Sequence, residues 1–195
     1  MLVSSSYAKK LLVFAAAAMT VAVPVLSAHA APLNSNAPTI SLNATLGESL
    51  TVSTTVASVS FSLINGQTVA GSAAVPITTN WILLPSRTSV KLYGYFASAT
   101  AALTDGYTTP DNIPSSAVLG QVPTGVPTTF TAFTQTGIGA SATAASLLLV
   151  NQPISTSTPN FVGNRTDNLN LEIATPAGLP AGTYTGTLTL QAQAN

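Results

Sequence analysis

The chain has 195 residues, of which 46% are hydrophobic and only 5% charged, and its formal net charge is zero. Such a chain has no basic stripe with which to displace counterions from phosphates, which argues against nucleic acid and anionic lipid surfaces as partners. Its hydrophobicity and low net charge argue equally against disorder. Cysteine is absent, so thiolate chemistry and disulfides are ruled out and the fold must rest on its apolar core.

The first thirty residues have the layout of an export signal. Lys9 and Lys10 form a positive start, an apolar run follows from Leu11 to Leu26, and Ala28-His29-Ala30 places small residues where a signal peptidase cuts. A membrane anchor is the competing reading. The run falls short of the about 20 apolar residues a bilayer needs, Pro24 interrupts it, and no charged stop-transfer cluster follows. The expectation is a signal peptide over 1–30, cleavage before Ala31, and one mature domain over 31–195 located outside the cytoplasm. That domain carries Arg87, Lys91 and Arg165 against Glu48, Asp105, Asp111, Asp167 and Glu172, a net of −2. Its solubility must come from Ser, Thr, Asn and Gln, a surface suited to packing against copies of itself.

Beyond residue 31 the apolar pattern has a period of two, and no segment sustains a period of 3.6 with good caps. Ile40, Leu42, Ala44 and Leu46 share one face of a first predicted strand, and Val59, Phe61 and Leu63 share one face of a second. Asn65-Gly66 between the second and the next is a tight-turn signal, since both residues tolerate positive φ. Trp81 in "TTNWILLP" is expected to anchor the core. In "TSVKLYGYF", Val90, Leu92 and Phe96 face one way, and Lys91, Tyr93 and Tyr95 the other. Residues 97–115 read as a polar, Pro-containing loop. The Ala-rich "GASATAASLLLV" reads as loop followed by strand, although it could pass for a helix. Leu169, Leu171 and Ile173 mark a further strand, and Thr183–Leu190 the last, in which Tyr184, Gly186, Leu188 and Leu190 alternate with threonines. Short alternating runs punctuated by Pro and Gly predict an all-β fold, an antiparallel immunoglobulin-like β-sandwich. Trp81, Leu92, Phe96, Leu171, Leu188 and Leu190 are expected to share its interior. The last strand has no charge to protect an exposed edge, so it is expected to be interior or capped.

Familiar catalytic machinery is missing. His29 is the only histidine and lies in the predicted signal peptide, so the mature domain has no imidazole for a Ser-His-Asp triad or for zinc. Ser89 and Lys91 are close, but Ser-x-x-Lys would need serine where Thr88 stands. Asp105, Asp111, Glu48 and Glu172 offer carboxylates that could in principle cleave a polysaccharide. Asp105, Asp111 and Asn112 could offer oxygens to calcium, but Asp-Gly and Asp-Asn are equally turn formers, and the ligand ladder of a calcium loop is absent. Asn43-Ala44-Thr45 and Asn164-Arg165-Thr166 fit the glycosylation pattern, which is common by chance. Tyr93 and Tyr95, with the loops 97–115 and 123–139, could serve a secreted adhesion or carbohydrate-binding module that takes a surface glycan, or Tyr93 and Tyr95 could be the second buried face of a central strand. No catalytic, cofactor-binding or metal residue is assigned, and no enzyme activity is expected.

The ending Leu179–Ala194, "LPAGTYTGTLTLQAQA", resembles the close of spore coat protein U-like and related secreted pilin-like domains. The resemblance implies a β-sandwich of chaperone–usher type that serves as a structural subunit of a surface fibre or coat, through self-assembly or with a periplasmic chaperone. Such domains commonly carry a disulfide, which this chain cannot form. The segment 38–47 then has two possible roles. It is either the first strand of its own domain or a strand donated to a neighbour.

Overall fold

The computed structural model describes residues 36–107, 109, 111–136 and 144–195. The signal-peptide expectation over 1–30, the end of the 123–139 loop and the start of the Ala-rich segment fall outside the described residues. Two units are distinguished, Met1–Asn43 and Ala44–Asn195. In the first, residues 36–43 have no regular secondary structure and are exposed. The second is all-β and antiparallel.

Its larger sheet is built on β3 (Val75–Ile82) and β10 (Val162–Ala174). Across it the order is β1 (Ser49–Thr54), β3, β10, β7 (Val118–Gln121) and β8 (Thr131–Ala132), with β2 (Thr68–Ala70) paired to β10 as well. β10 spans 13 residues and serves two sets of partners. Its first part, Val162–Leu169, pairs with β3, and Asn170–Ala174 pairs with β7 and β2. Period two explains its faces: Asp167, Leu169, Leu171 and Ile173 are buried, while Asn164, Thr166 and Asn168 are exposed. The second sheet has β4 (Ser89–Tyr95) between β11 (Thr189–Ala194) and β9 (Ser146–Pro153).

The two sheets share one apolar interior. Val75, Ile77, Val118, Leu169, Leu171 and Ile173 from the first meet Leu92, Leu147, Leu149 and Val150 from the second. Phe96 and Phe133 fill the space between them edge to face, with ring centroids 5.2 Å apart. This is the antiparallel sandwich the alternation predicts. A β-bulge interrupts the β4–β9 ladder, where the register shifts between Leu92 and Tyr93. The N–H of Leu148 beside it donates to Gln135 Oε1 at 2.8 Å, so the irregular backbone stays satisfied. Asn65-Gly66 makes the expected turn, with Gly66 at φ 72° and the Gln67 N–H bonded to the Ile64 carbonyl at 2.9 Å.

Several expectations are corrected. No strand forms over 38–47: regular pairing begins at Ser49, and Ile40, Leu42 and Leu46 are 83%, 90% and 77% exposed. Val59, Phe61 and Leu63 do turn inward against the core, but their segment forms no ladder. The terminal ladder is shorter than its alternation, because Thr183–Leu188 pairs only through a bridge between Thr185 and Thr104. β11 is not interior; among the described strands it pairs with β4 only and lies at the edge of its sheet. Residues 97–115 are more than a loop, since β5 (Leu103–Thr104) pairs with β6 (Asn112–Ile113) and a 3-10 turn starts at Ser115. Finally, Trp81 belongs with Leu83, Val90 and Ile154 in a separate small cluster, away from Leu92, Phe96 and Leu171. Its indole N–H reaches the Asn160 carbonyl at 2.9 Å, and Gly163 gives the ring its space: a Cβ there would lie 2.7 Å from Trp81 Cζ2.

Candidate functional site

The sandwich is open along one side. Between the chain that follows β1 and the chain that precedes β11 runs a groove of about 840 Å³. One wall is formed by Thr54, 56–61 and Leu63, the other by 182–188 and Leu190. Its floor is core: Val75, Phe96, Val118, Leu171 and Ile173. The floor is apolar because these residues are the inward faces of β3, β7 and β10 together with the end of β4's chain.

Both walls are extended backbone with few partners. Among the described residues, the 57–61 backbone is bonded only at Ser60. Its N–H donates to Ser72 Oγ at 3.1 Å, and its carbonyl accepts from the Ser72 N–H at 2.9 Å. The facing 183–188 backbone is bonded only at Thr185, which exchanges two 2.9 Å bonds with Thr104. Each wall is therefore a stretch of chain outside any ladder whose N–H and C=O groups, apart from these, have no partner among the described residues, and neither wall carries a charge or Pro that would discourage pairing. The sequence signal is present in both, as alternating apolar residues at Val59, Phe61 and Leu63 and at Tyr184, Leu188 and Leu190. Periodicity does not show that the two segments stand apart rather than side by side.

At one end β1 and β11 approach each other around a smaller opening of about 340 Å³, and a polar clasp spans them. Arg87 grips the Glu48 carboxylate through Nε (3.0 Å) and Nη2 (2.8 Å), and its Nη1 reaches the Ala194 carbonyl at 3.3 Å. The Leu84 N–H also donates to Glu48 Oε1, at 2.9 Å. The Thr88 N–H donates to the Asn195 carbonyl at 2.6 Å, tying the last residue to the same loop. The Arg87 hydrogen bonds, with that of Leu84 behind them, hold the Glu48 carboxyl down at about 2.

The other end carries Tyr184, Asp105 and Asp111. Tyr184 OH donates to the Pro180 carbonyl at 2.9 Å, and burial, with the charges of Asp111 and Asp105 behind it, pushes its phenol up. Asp105 acts as a turn former: its Oδ1 accepts from the Tyr107 and Asp111 N–H groups, both at 3.2 Å. Among the described residues no three His, Cys, Asp or Glu side chains gather as a metal cluster. Glu48 precedes β1 and Glu172 lies on β10, and among the described residues the four carboxylates do not gather into one site.

The remaining sequence candidates separate as well. Tyr93 is 6% exposed and its phenol is pushed up by burial, so it belongs to the interior and cannot stack on a sugar; Tyr95 is half-buried. Ser89 and Lys91 sit two apart on β4, where the Ser89 carbonyl accepts from the Asn195 N–H at 3.0 Å. Arg165 and Asp167 form a largely buried cluster that sequence reading passes over. Arg165 Nη2 and Nε each lie 2.6 Å from an Asp167 oxygen, Thr124 Oγ1 donates to Asp167 at 2.7 Å, and Arg165 Nη1 reaches Gln152 Oε1 at 2.9 Å. Its charged groups are matched inside the protein, which makes it a brace between β9, β10 and the 122–127 turn. Among the described residues no helix is long and apolar enough to cross a membrane. Comparison with family models, with curated proteins and with solved structures gave no match.

Proposed function

We propose that the chain is an exported, non-enzymatic structural subunit that assembles at the cell surface by lending its segment 38–47 to the groove of a second copy. The observation that carries this reading is a pair of complementary, unsatisfied surfaces. The groove offers two uncharged, largely unpaired backbone walls over an apolar floor. The segment offers Ile40, Leu42, Ala44 and Leu46 at period two, with Ile40, Leu42 and Leu46 exposed. A strand laid between the walls would bond through its backbone to both and place those side chains on the floor.

Magnitudes favour a seated strand over a merely sticky one. Burying three large aliphatic side chains yields roughly 5–9 kcal/mol. Fixing seven residues costs roughly 7–14 kcal/mol. Backbone bonds to the two walls, at about 1 kcal/mol each, are needed to offset the difference.

Chain length favours a second copy over the segment's own groove. The segment is tethered at Glu48, on the clasp, and the groove starts at Thr54, about 20 Å away along β1. Leu46 reaches only about 7 Å from Glu48 and Ala44 about 14 Å, even fully extended. The four-residue face cannot lie in its own groove, whereas a neighbour's groove imposes no tether. A periplasmic chaperone would hold the groove before assembly. Sedimentation of the mature chain and of a form lacking 31–47 tests the proposal. Concentration-dependent oligomers are expected for the first, and monomers that bind a 38–47 peptide for the second. A mature chain that stays monomeric at high concentration, with and without a co-expressed chaperone, refutes it.

A further inference from the structure

The two chain segments that flank the groove, β1 with its continuation and β11 with its lead-in, differ at their two ends. Toward Val59 and Tyr184 they diverge and leave the core open. Toward Glu48 and Asn195 they converge, and Leu50 and Ala194 pack against the small cluster around Trp81. Arg87 sits on this junction, with one guanidinium spanning β1's lead-in and β11's last residues. Its fork matches both carboxylate oxygens of Glu48, a geometry that fixes orientation as well as distance. A strand between two uncharged edges has no intrinsic register. It can slide by two residues and keep the same face inward, so Leu42 would take the place of Ile40 at little cost unless something blocks it.

We infer that the Glu48–Arg87 clasp is the stop that fixes the register of a strand entering the groove. This rests on the strand-donation reading above and adds to it a specificity-determining pair that touches neither the groove's floor nor its open walls. Beyond Thr54 and Leu190 the two strands do not pair, and an opening of about 340 Å³ lies between Leu50 and Ala194; the clasp bridges that opening, so an incoming strand ends there while the clasp holds. Without it, the two edges are free to part, and the strand can run on between them toward Ser49 and Ala194.

The absence of cysteine makes the test clean, because any introduced pair reports one contact. Mature full-length protein carrying Thr45→Cys, which alternates with the inward Ala44 and Leu46 and so faces outward in a seated strand, is mixed with protein carrying a single cysteine at Ser58, Ser60, Thr185 or Thr187, all exposed along the walls. Disulfide-linked dimers are then quantified in the native background and with Glu48→Gln or Arg87→Met in the acceptor. The native acceptor is expected to give one dominant partner position on each wall. Both clasp variants are expected to raise the yield at positions two residues away by roughly threefold or more, with circular dichroism showing the sandwich intact. Glu48→Gln keeps side-chain shape and the acceptor for the Leu84 N–H, so it carries the test if Arg87→Met fails to fold. An unchanged distribution in a folded clasp variant overturns the stop alone. No cross-link with the native acceptor at any position overturns the stop and strand donation together.

Discussion

Gly186 and Ala102 approach so closely that a Cβ on Gly186 would overlap the Ala102 carbonyl oxygen. That contact lets the strap from Ala99 to Thr104 lie directly against one wall of the groove, where Thr104 and Thr185 exchange their backbone bonds. The obstacle is backbone, so a side chain at 186 cannot be accommodated by a rotamer change. Gly186→Ala is therefore expected to push the wall off the strap and to destabilise the domain by about 1–3 kcal/mol, in the range of overpacked cores. Urea unfolding gives the magnitude, and faster hydrogen exchange at the Thr104 and Thr185 amides gives the location. Native exchange at both amides would show that the strap does not hold this wall.

The core makes a graded prediction. Leu169 is fully buried in the middle of β10, between both sheets, whereas Leu188 only packs against the edge of the same cluster. Leu169→Ala should cost about 2–5 kcal/mol, and Leu188→Ala clearly less, because a site on the groove can be reached by water and leaves no closed cavity. Occupation of the groove should narrow the gap between the two, which denaturant titrations with and without a 38–47 peptide would reveal. Equal costs in the free domain would place Leu188 deeper than its exposure indicates.

The pattern of what can be read in the sequence follows from the same physics. Strands buried on one face announce themselves by alternation, which is why Leu169, Leu171 and Ile173 are legible at once. Alternation reports a preference for burial and does not say that burial has been achieved. Ile40, Leu42, Ala44 and Leu46 carry the same pattern and lie outside any ladder, and Val59, Phe61 and Leu63 turn inward without pairing. The groove is bordered by the unpaired 57–61 and 183–188 segments, so it is invisible to a reading in which every alternating run pairs. Trp81 misleads for a related reason: its size marks it as buried, but β3 is long enough to reach a second cluster. The clasp is illegible because Glu48 and Arg87 lie far apart in the chain, and the Arg165–Asp167 pair, though only two residues apart, reads as two surface charges because its burial depends on the distant Thr124 and on Gln152.

That brace predicts an asymmetry between single and double substitutions. Asp167 is 2% exposed and accepts from Arg165 and Thr124. Removing its carboxylate leaves a guanidinium partly buried without its partner. Asp167→Ala is expected to cost about 3–5 kcal/mol, while replacing both residues by apolar ones of similar volume, Arg165→Met with Asp167→Leu, should recover much of that loss. A double-mutant cycle by chemical denaturation measures the coupling. If the double substitution is as damaging as the two single ones added together, the pair does not act as a unit.

The clasp predicts how the β1–β11 junction responds to acid. Hydrogen bonds from Arg87, then from the Leu84 N–H, lower the Glu48 carboxyl from 4.5 to about 2. A carboxyl lowered on folding binds its proton more readily in the unfolded chain, so stability is lost as the medium turns acid. The contribution should be complete above the ordinary carboxylate range, decline as pH falls below 4.5, and be gone at about 2. Arg87→Met removes the largest cause, so the Glu48 carboxyl should titrate much closer to its ordinary value in that variant. Carbon-detected NMR of the Glu48 carboxyl reads both midpoints directly. The difference in melting temperature between native protein and Arg87→Met should be constant near neutrality and shrink through the same acid window. The pair is exposed enough for salt to screen it, so the difference should also shrink as salt is added at neutral pH. A Glu48 midpoint that is the same with and without Arg87 would mean that the fork seen at 2.8 Å does not persist in solution, and the Thr88 and Ser89 bonds to Asn195 would then tie β11 to the β4 chain without tying it to β1.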